Sequence, residues 1–201
     1  MSRYTGPKVK ILRRFGEELP GLSRKKTSRL QTPPGQQHFR RRRKSPYAER
    51  LAEKQRLRFN YGVSERQMRK LFKEAARQRG DTGINLMVLL EQRLDSLVYS
   101  AGFAPTIPAA RQMVNHGHVM LDGRKVTIAS CQVKLGQVIS LRENVRQKSY
   151  VSDRTHEFGV GAPSFLAVDP DKFAATLVVK PTSDDFMLEI NTSLVVEFYS
   201  R

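Results

Sequence analysis

Apolar residues recur at the spacing of helical turns through the middle of the chain, where the sequence predicts amphipathic helices. Ser45 can cap a helix whose first position is Pro46, and Gly62 is a suitable residue to end it. Residues 64–67, Ser-Glu-Arg-Gln, form a capping box for a second helix, and apolar residues at helical spacing follow over 68–76. The sequence therefore predicts two helices separated by a short turn.

A third helix is predicted after a turn bracketed by Gly80 and Gly83. Its apolar residues, mostly leucines, recur over 86–101, and Gly102 follows the last of them. Because the connections between the three helices are short, we expect them to pack as a small helical unit.

The pattern changes after Gly102, and a mixed helix-plus-sheet module is predicted from about residue 90 to residue 146. A short helix begins at Thr106 and ends at Gly117. Asp-Gly at 122–123 separates two β-prone runs, which is the strongest short-range hairpin signal. Further strands are predicted at 133–135 and 138–141.

The last third of the chain contains short apolar runs whose secondary structure the pattern leaves open. In runs this short, periodicity does not separate a strand from a buried helix. The runs lie at 165–168, 173–179, 186–190 and 194–199.

The charge of the chain is strongly positive and unevenly distributed. Among 201 residues there are 36 Lys and Arg against 19 Asp and Glu, a formal net charge of +17. Residues 1–44 carry +12, residues 45–150 carry +9 and residues 151–201 carry −4. Such an excess favours a polyanionic partner, with nucleic acid ahead of an anionic membrane surface.

Residues 1–44 are predicted to form a basic arm that orders against that polyanion. The segment contains few apolar residues and ends in the run Arg-Arg-Arg-Arg-Lys at 40–44. The alternative interpretation of such a run is a solvated tail or a localisation signal.

The residue patterns that would indicate an enzyme, a metal site or a membrane protein are weak. The glycine spacing over 16–21 matches a phosphate loop, but Leu22 stands where the lysine is needed. One cysteine excludes a disulfide or a four-cysteine zinc site within the chain, and His116 and His118 flank a glycine, which is a poor metal clamp. Asp95 is better explained by a structural ion pair or helix cap than by catalysis. No cofactor, no metal, no secretory signal and no membrane span are expected.

The candidate binding residues are basic or polar side chains on the arm, on the predicted helices and beside the hairpin. Lys and Arg contact phosphates and determine affinity and its salt dependence. Shape recognition of a folded RNA fits better than readout of a DNA sequence. Tyr47 and Phe59 are predicted as core residues, whereas Tyr61 is open between core and base stacking. The candidates are Arg3, Tyr4, Lys8, Arg13, Arg14, Arg40, Arg41, Arg42, Arg43, Arg50, Lys54, Arg58, Tyr61, Arg66, Arg69, Lys70, Arg111, Gln112, His116, Arg124 and Lys125.

Several motifs, in their order and spacing, resemble the ribosomal protein S4 family of the bacterial-type small subunit over nearly the full chain. They lie at 2–8, 19–22, 33–36, 53–62, 90–95, 102–106, 110–118 and 196–201. The resemblance implies an α+β fold with a basic arm at 1–44 and a helical domain at 45–90 that segment 151–201 joins. It also implies an inserted S4-type RNA-binding domain, a helix with an antiparallel sheet, at 91–150.

The resemblance further implies a structural component of the small ribosomal subunit that is not an enzyme. Members of the family bind a junction in the 5′ region of small-subunit ribosomal RNA, nucleate assembly of the subunit body and contribute to translational accuracy. Their neighbours are the third and fifth small-subunit proteins, near the region where messenger RNA enters, with a functional link to the twelfth. The implied location is the ribosome in the cytoplasm or, for an organelle-encoded chain, in the plastid stroma.

The chain departs from the family pattern at a few positions. It lacks the N-terminal cysteines that hold zinc in many relatives, so zinc is not carried over. Ser96 replaces an asparagine, and Asp122 replaces the asparagine of the hairpin turn, which places a negative charge near RNA. The rival interpretations are an RNA-modifying enzyme that carries the same module, and a nucleoid or membrane-surface protein.

Overall fold

The structure is a computed structural model that describes residues 4–25, 28–35, 45–146 and 162–200. The chain divides into two compact units, Met1–Leu86 with Met187–Arg201 and Met87–Phe186. The helices are α1 Lys8–Phe15, α2 Pro46–Asn60, α3 Glu65–Arg77, α4 Thr82–Glu91, α5 Leu94–Ser100, α6 Ile107–Asn115, α7 Glu143–Arg146 and α8 Thr192–Tyr199. The strands are β1 Val119–Leu121, β2 Arg124–Lys125, β3 Val138–Leu141, β4 Leu166–Asp169 and β5 Ala174–Leu177.

The predicted starts of the two helices in the first unit are confirmed by their caps. Ser45 Oγ accepts a hydrogen bond from the Ala48 amide at 3.2 Å, and Pro46 occupies the first turn of α2. At the start of α3 the predicted capping box is formed: the Gln67 amide donates to Ser64 Oγ, and the Ser64 amide donates to Gln67 Oε1. These side chains satisfy amide groups that the helix itself leaves without partners.

Part of the predicted basic arm is packed into the first unit, which corrects the expectation that the arm orders only against a polyanion. The apolar side chains of Ile11 and Leu12 in α1 are buried with Leu19, Leu22 and Leu188. The sequence did not indicate this cluster for two reasons. The arm contains few apolar residues, and one member of the cluster, Leu188, lies near the other end of the chain.

The predicted third helix is two helices, α4 and α5. Arg93 between them is extended, with φ −69° and ψ 143°, and forms an isolated bridge with Gln132. Gly83 lies inside α4 rather than in a turn, and a side chain there would meet the side chain of Thr192. Tertiary contacts therefore override the continuous helical periodicity of this stretch.

The second unit contains an antiparallel sheet with the strand order β2-β1-β3-β5-β4 in the described residues. The predicted hairpin is confirmed: Asp122 and Gly123 have φ values of 48° and 74°, as a type I′ turn requires. The strand predicted at 138–141 is β3, but the strand predicted at 133–135 is absent from the described chain. A turn whose glycine, Gly136, has φ 81° occupies this region instead.

The sheet is completed by β4 and β5, which come from the C-terminal segment. Segment 151–201 was expected to join the helical domain as a whole. Of its described residues, however, only 187–200 belong to the first unit, and 162–186 belong to the second. Phe165, Leu166 and Leu177 are buried in the same core cluster as Ile139 of β3. Of the four runs left open, those at 165–168 and 173–179 contain the strands β4 and β5, that at 194–199 lies in helix α8, and that at 186–190 forms neither strand nor helix.

A buried carboxylate joins α5 and α6, as the ion-pair interpretation of Asp95 predicted. Asp95 is fully buried, and Arg93 donates to its two oxygens at 2.9 and 2.8 Å. Arg111 donates to Asp95 Oδ2 from Nε at 3.1 Å and from Nη2 at 2.6 Å. One carboxylate thus holds two guanidinium groups.

We predict that Asp95→Asn lowers the free energy of unfolding by about 3 kcal/mol or more, because two arginines lose the charge that compensates them in a buried site. Urea unfolding followed by circular dichroism measures this. The matched control is Asp169→Asn, which removes an exposed ion pair with Lys172 and should cost about 1 kcal/mol or less. Equal losses in the two variants would contradict the assignment.

Candidate nucleic-acid interface

The predicted basic stripe on α2 is paired with carboxylates of the same unit. Arg50 Nε lies 2.6 Å from Glu197, and Lys54 Nζ lies 2.8 Å from Glu65 Oε2. Arg58 Nη1 lies 3.9 Å from the same Glu65 oxygen. Lys54 is only 4% exposed, so it does not present its ammonium group to a phosphate, and we withdraw it from the contact set.

The aromatic candidates are placed differently from the predictions. Tyr61 is fully buried and offers no ring face for base stacking, so it also leaves the contact set. Tyr47 was predicted in the core but is 62% exposed, with its ring centroid 5.9 Å from that of Phe198. Phe59 is partly buried, and Tyr4 packs edge-on against it at 5.5 Å while remaining 46% exposed.

The candidates on α1 differ in exposure. Arg13 is occupied: its Nε donates to the Thr32 carbonyl at 2.9 Å and its Nη2 to the Pro33 carbonyl at 3.3 Å. Lys8 is partly buried and Arg14 is exposed. Arg3, Arg40, Arg41, Arg42 and Arg43 lie outside the described residues.

Four of the exposed cations of the first unit lie together on α3. They line a groove of about 600 Å³, and their spacing of three and four residues places them along one side of the helix. Among the described residues, Arg66, Lys70 and Lys73 have no carboxylate within 4 Å, whereas Arg69 forms a long ion pair, with its Nε 3.8 Å from Glu65 Oε1. We call these four residues the α3 basic row. Lys73 has the same helical spacing as the candidates Arg66, Arg69 and Lys70 and belongs to the same basic cluster in the sequence.

Glu65 stands at the start of the α3 basic row and carries a full negative charge. Partial burial acts to raise the pKa of Glu65, but hydrogen bonds from Lys54 and Tyr199 and the charges of Lys54 and Arg58 outweigh it, so the pKa lies below its ordinary value. The Tyr199 hydroxyl donates to Glu65 Oε1 at 3.0 Å. Burial, then the charge of Glu65, raises the pKa of Tyr199 well above its ordinary value, so the hydroxyl keeps its proton.

The second unit has its own exposed basic residues on the hairpin and beside α6. Arg124 and Lys125 of β2 are exposed, as are Gln112 and His116. A Cβ atom on Gly117 would collide with Lys125 Cε, so the absence of a side chain lets the lysine pass over the end of α6. By contrast, the Arg111 side chain is only 16% exposed and is bound to Asp95, so we assign it to the fold rather than to the surface.

The negative charge at the hairpin turn is tied to the sheet. The carboxylate of Asp122 accepts from the Val138 amide at 2.9 Å and from Gln137 Nε2 at 2.6 Å. The hydrogen bond from Val138, then that from Gln137, lowers the pKa of Asp122. The turn residue that departs from the family pattern therefore joins the hairpin to the start of β3.

The described parts of the chain show neither a metal-binding cluster nor a membrane-spanning helix. No group of three or more His, Cys, Asp or Glu side chains in them could hold a metal ion. None of their helices is long and apolar enough to cross a membrane.

Two protein-family models match consecutive parts of the chain. The family model for the "Ribosomal protein S4/S9 N-terminal domain" matches residues 3–91, and the model for the "S4 domain" matches residues 92–139. The change from one to the other falls between α4 and α5.

Cyanobacterial proteins named small ribosomal subunit protein uS4 are similar to the chain over its full length. The relative from Synechococcus sp. (strain JA-3-3Ab) is 48% identical, that from Prochlorococcus marinus (strain NATL2A) 49%, and that from Synechococcus elongatus 50%. Each alignment covers 100% of this chain and 99% of the relative. The resemblance found in the sequence motifs is thereby confirmed, and the chain belongs to the uS4 family of small ribosomal subunit proteins.

Proposed function

We propose that the chain is a structural, non-enzymatic component of the small ribosomal subunit that binds small-subunit ribosomal RNA. The observation that carries this proposal is the α3 basic row, whose cations are exposed while those of the neighbouring helix α2 are paired with carboxylates. Relatives aligned over the whole chain are named as ribosomal proteins, which favours this function over an RNA-modifying enzyme.

The proposed mechanism is electrostatic. RNA holds a condensed layer of counterions, and each lysine or arginine that neutralises a phosphate releases counterions into solution. The α3 basic row in the first unit and the exposed pair Arg124 and Lys125 in the second are suited to this role, because they are exposed and, among the described residues, only Arg69 of the six lies within 4 Å of a carboxylate. These contacts position the RNA by its backbone and shape.

We further propose that the RNA target is a junction in the 5′ region, and that binding nucleates the subunit body and contributes to accuracy. The proposed neighbours are the third and fifth small-subunit proteins, near the region where messenger RNA enters, with a functional link to the twelfth. The proposed compartment is the cytoplasm, or the plastid stroma for an organelle-encoded chain. The family membership supports each of these proposals.

Sedimentation of a cell lysate tests the function directly. We expect the tagged chain to migrate with small ribosomal subunits through a gradient at moderate salt, and crosslinking to attach it to small-subunit ribosomal RNA. Migration with lipid vesicles or with DNA would oppose the proposal.

We predict that Arg66→Gln with Lys70→Gln weakens RNA binding and flattens the dependence of log affinity on log salt concentration. Each lost phosphate contact should reduce the slope by about 0.7 to 0.9. Filter binding to a transcript of the 5′ region of Synechococcus elongatus small-subunit ribosomal RNA, at several KCl concentrations, measures both quantities. Lys172→Gln with Lys180→Gln removes the same charge from the acidic C-terminal segment and should leave the slope nearly unchanged. If both pairs change the slope equally, binding follows net charge and not the α3 basic row.

We predict opposite phenotypes for the two kinds of cation in the second unit. Arg124→Gln with Lys125→Gln should flatten the salt slope without changing the urea midpoint, because both side chains are exposed. Arg111→Gln should lower the midpoint, because Asp95 loses a buried partner, and should leave the slope of the folded protein unchanged. A flattened slope for Arg111→Gln at full stability would return that residue to the contact set.

A further inference from the structure

Tyr47, in the first turn of α2, carries an aromatic ring that packing within the protein covers only in part. The residue is 62% exposed. Its ring lies beside that of Phe198 in α8, with 5.9 Å between the centroids and 36° between the planes. Hydrophobic stabilisation grows with the apolar area removed from water, so this placement contributes little to the stability of the fold. Most of the side chain remains accessible to a partner.

We propose that Tyr47 binds RNA through its ring, on which an unpaired nucleobase stacks. The inference rests on the proposed function, because it names a further contact with the same RNA. It adds a contact with the bases to the contacts of the α3 basic row with phosphates. Every nucleobase has a π-face, so this stacking site accepts any unpaired base and does not select a sequence.

The ring of Tyr47 is supported by a second contact between the same two helices. Arg50, three residues further along the same side of α2, has its Nε 2.6 Å from Glu197 Oε2. Glu197 precedes Phe198, whose ring packs in turn against that of Tyr199, with 5.3 Å between the centroids. A ring that is already held in place loses little conformational freedom when a base stacks on it, which favours affinity.

The other large apolar side chains that are exposed in the described residues are less suited to stacking. Six of them are isoleucine, leucine or valine side chains, which have no π-face. The remaining one, Tyr4, is 46% exposed, and it packs edge-on against Phe59 while its hydroxyl donates to the Pro7 carbonyl at 3.4 Å. Tyr47 is therefore the most exposed tyrosine or phenylalanine in the parts of the chain that the structure describes.

The charge of the neighbouring sequence favours a nucleic acid as the partner of this ring. The basic run at 40–44 lies outside the described residues, but it ends three residues before Tyr47. The covalent chain alone keeps its last residue within about 11 Å of Tyr47. Glu49, the nearest acidic residue in the sequence, is two positions further on and does not share the side of α2 on which Tyr47 lies. An RNA whose base stacks on Tyr47 therefore brings its phosphates close to a positively charged segment.

A fluorescent reporter tests the stacking directly. The chain contains no tryptophan, so Tyr47→Trp introduces a single indole ring at the proposed site. Stacking on a base quenches indole emission, and we expect the 5′-region transcript to quench this variant. Val179→Trp is the matched control, because Val179 is 55% exposed in the acidic C-terminal segment and should not be quenched. Equal quenching of the two variants, or none in Tyr47→Trp at saturating RNA, would overturn the stacking role.

Truncation of the ring measures what stacking contributes to affinity. Tyr47→Ala should weaken binding of the transcript about 5- to 150-fold, the range for the loss of one stacked base. The slope of log affinity against log salt concentration should not change, because no charge is removed. Tyr47→Phe keeps the ring, and Ile84→Ala truncates another exposed apolar side chain of the first unit, so both should bind like the wild type. Wild-type affinity in Tyr47→Ala, or an equal loss in either control, would contradict the proposal.

Inorganic polyphosphate separates stacking from phosphate binding, because it carries many negative charges but no bases. Tyr47→Ala should bind polyphosphate as tightly as the wild type does. Arg66→Gln with Lys70→Gln should bind it more weakly, because these variants lose phosphate contacts. If Tyr47→Ala loses polyphosphate binding as much as RNA binding, the effect belongs to charge or folding, and the stacking role fails.

The wild-type measurement distinguishes this inference from the proposed function. If the wild type does not bind the transcript with a salt-dependent affinity, the proposed function fails, and the role of Tyr47 fails with it. If the wild type binds and the transcript does not quench Tyr47→Trp, only the role of Tyr47 fails.

Discussion

In the described residues, carboxylates pair with part of the positive charge, and two of them, Asp95 and Glu65, each lie within 4 Å of more than one cation. Asp95 is fully buried and binds the guanidinium groups of Arg93 and Arg111. Glu65 is partly buried and is bound by Lys54 and by a tyrosine hydroxyl. A carboxylate removed from water is stable only with cations or donors around it, so folding fixes these partners within the protein. The exposed cations that remain outside such pairs are the ones suited to phosphate.

The features that the sequence predicted correctly depend on residues close together in the chain. The serine cap of α2 and the capping box of α3 each join positions three residues apart. The hairpin turn at Asp122 and Gly123 is determined by the preference of two adjacent residues for positive φ. These interactions recur wherever the same short sequence occurs, and they can be recognised without knowing the fold.

The features that could not be predicted depend on partners far away in the chain. The helical periodicity over 86–101 is continuous, yet Arg93 breaks it to pair with Gln132. The strand β5 pairs with β3, which lies more than thirty residues earlier in the chain. Likewise, the pairing of Arg50 with Glu197 joins α2 to the end of the chain. Spacing within a segment contains no information about such partners.

The same distinction explains why the candidate binding residues were only partly separable from the sequence. Arg66 and Arg111 are the same residue type and each lies on a helix, but one is exposed and the other is bound to a buried carboxylate. We propose that the exposed cation contributes to RNA affinity, whereas the bound cation stabilises the fold. Glu65 lies between the two kinds of cation, because Lys54 of α2 and the Tyr199 hydroxyl of α8 bind its carboxylate while the exposed Arg69 of α3 lies 3.8 Å from it. The formal charge of +17 counts every cation in the sequence. The surface that an RNA would contact depends on which of these cations are exposed and which are paired with carboxylates.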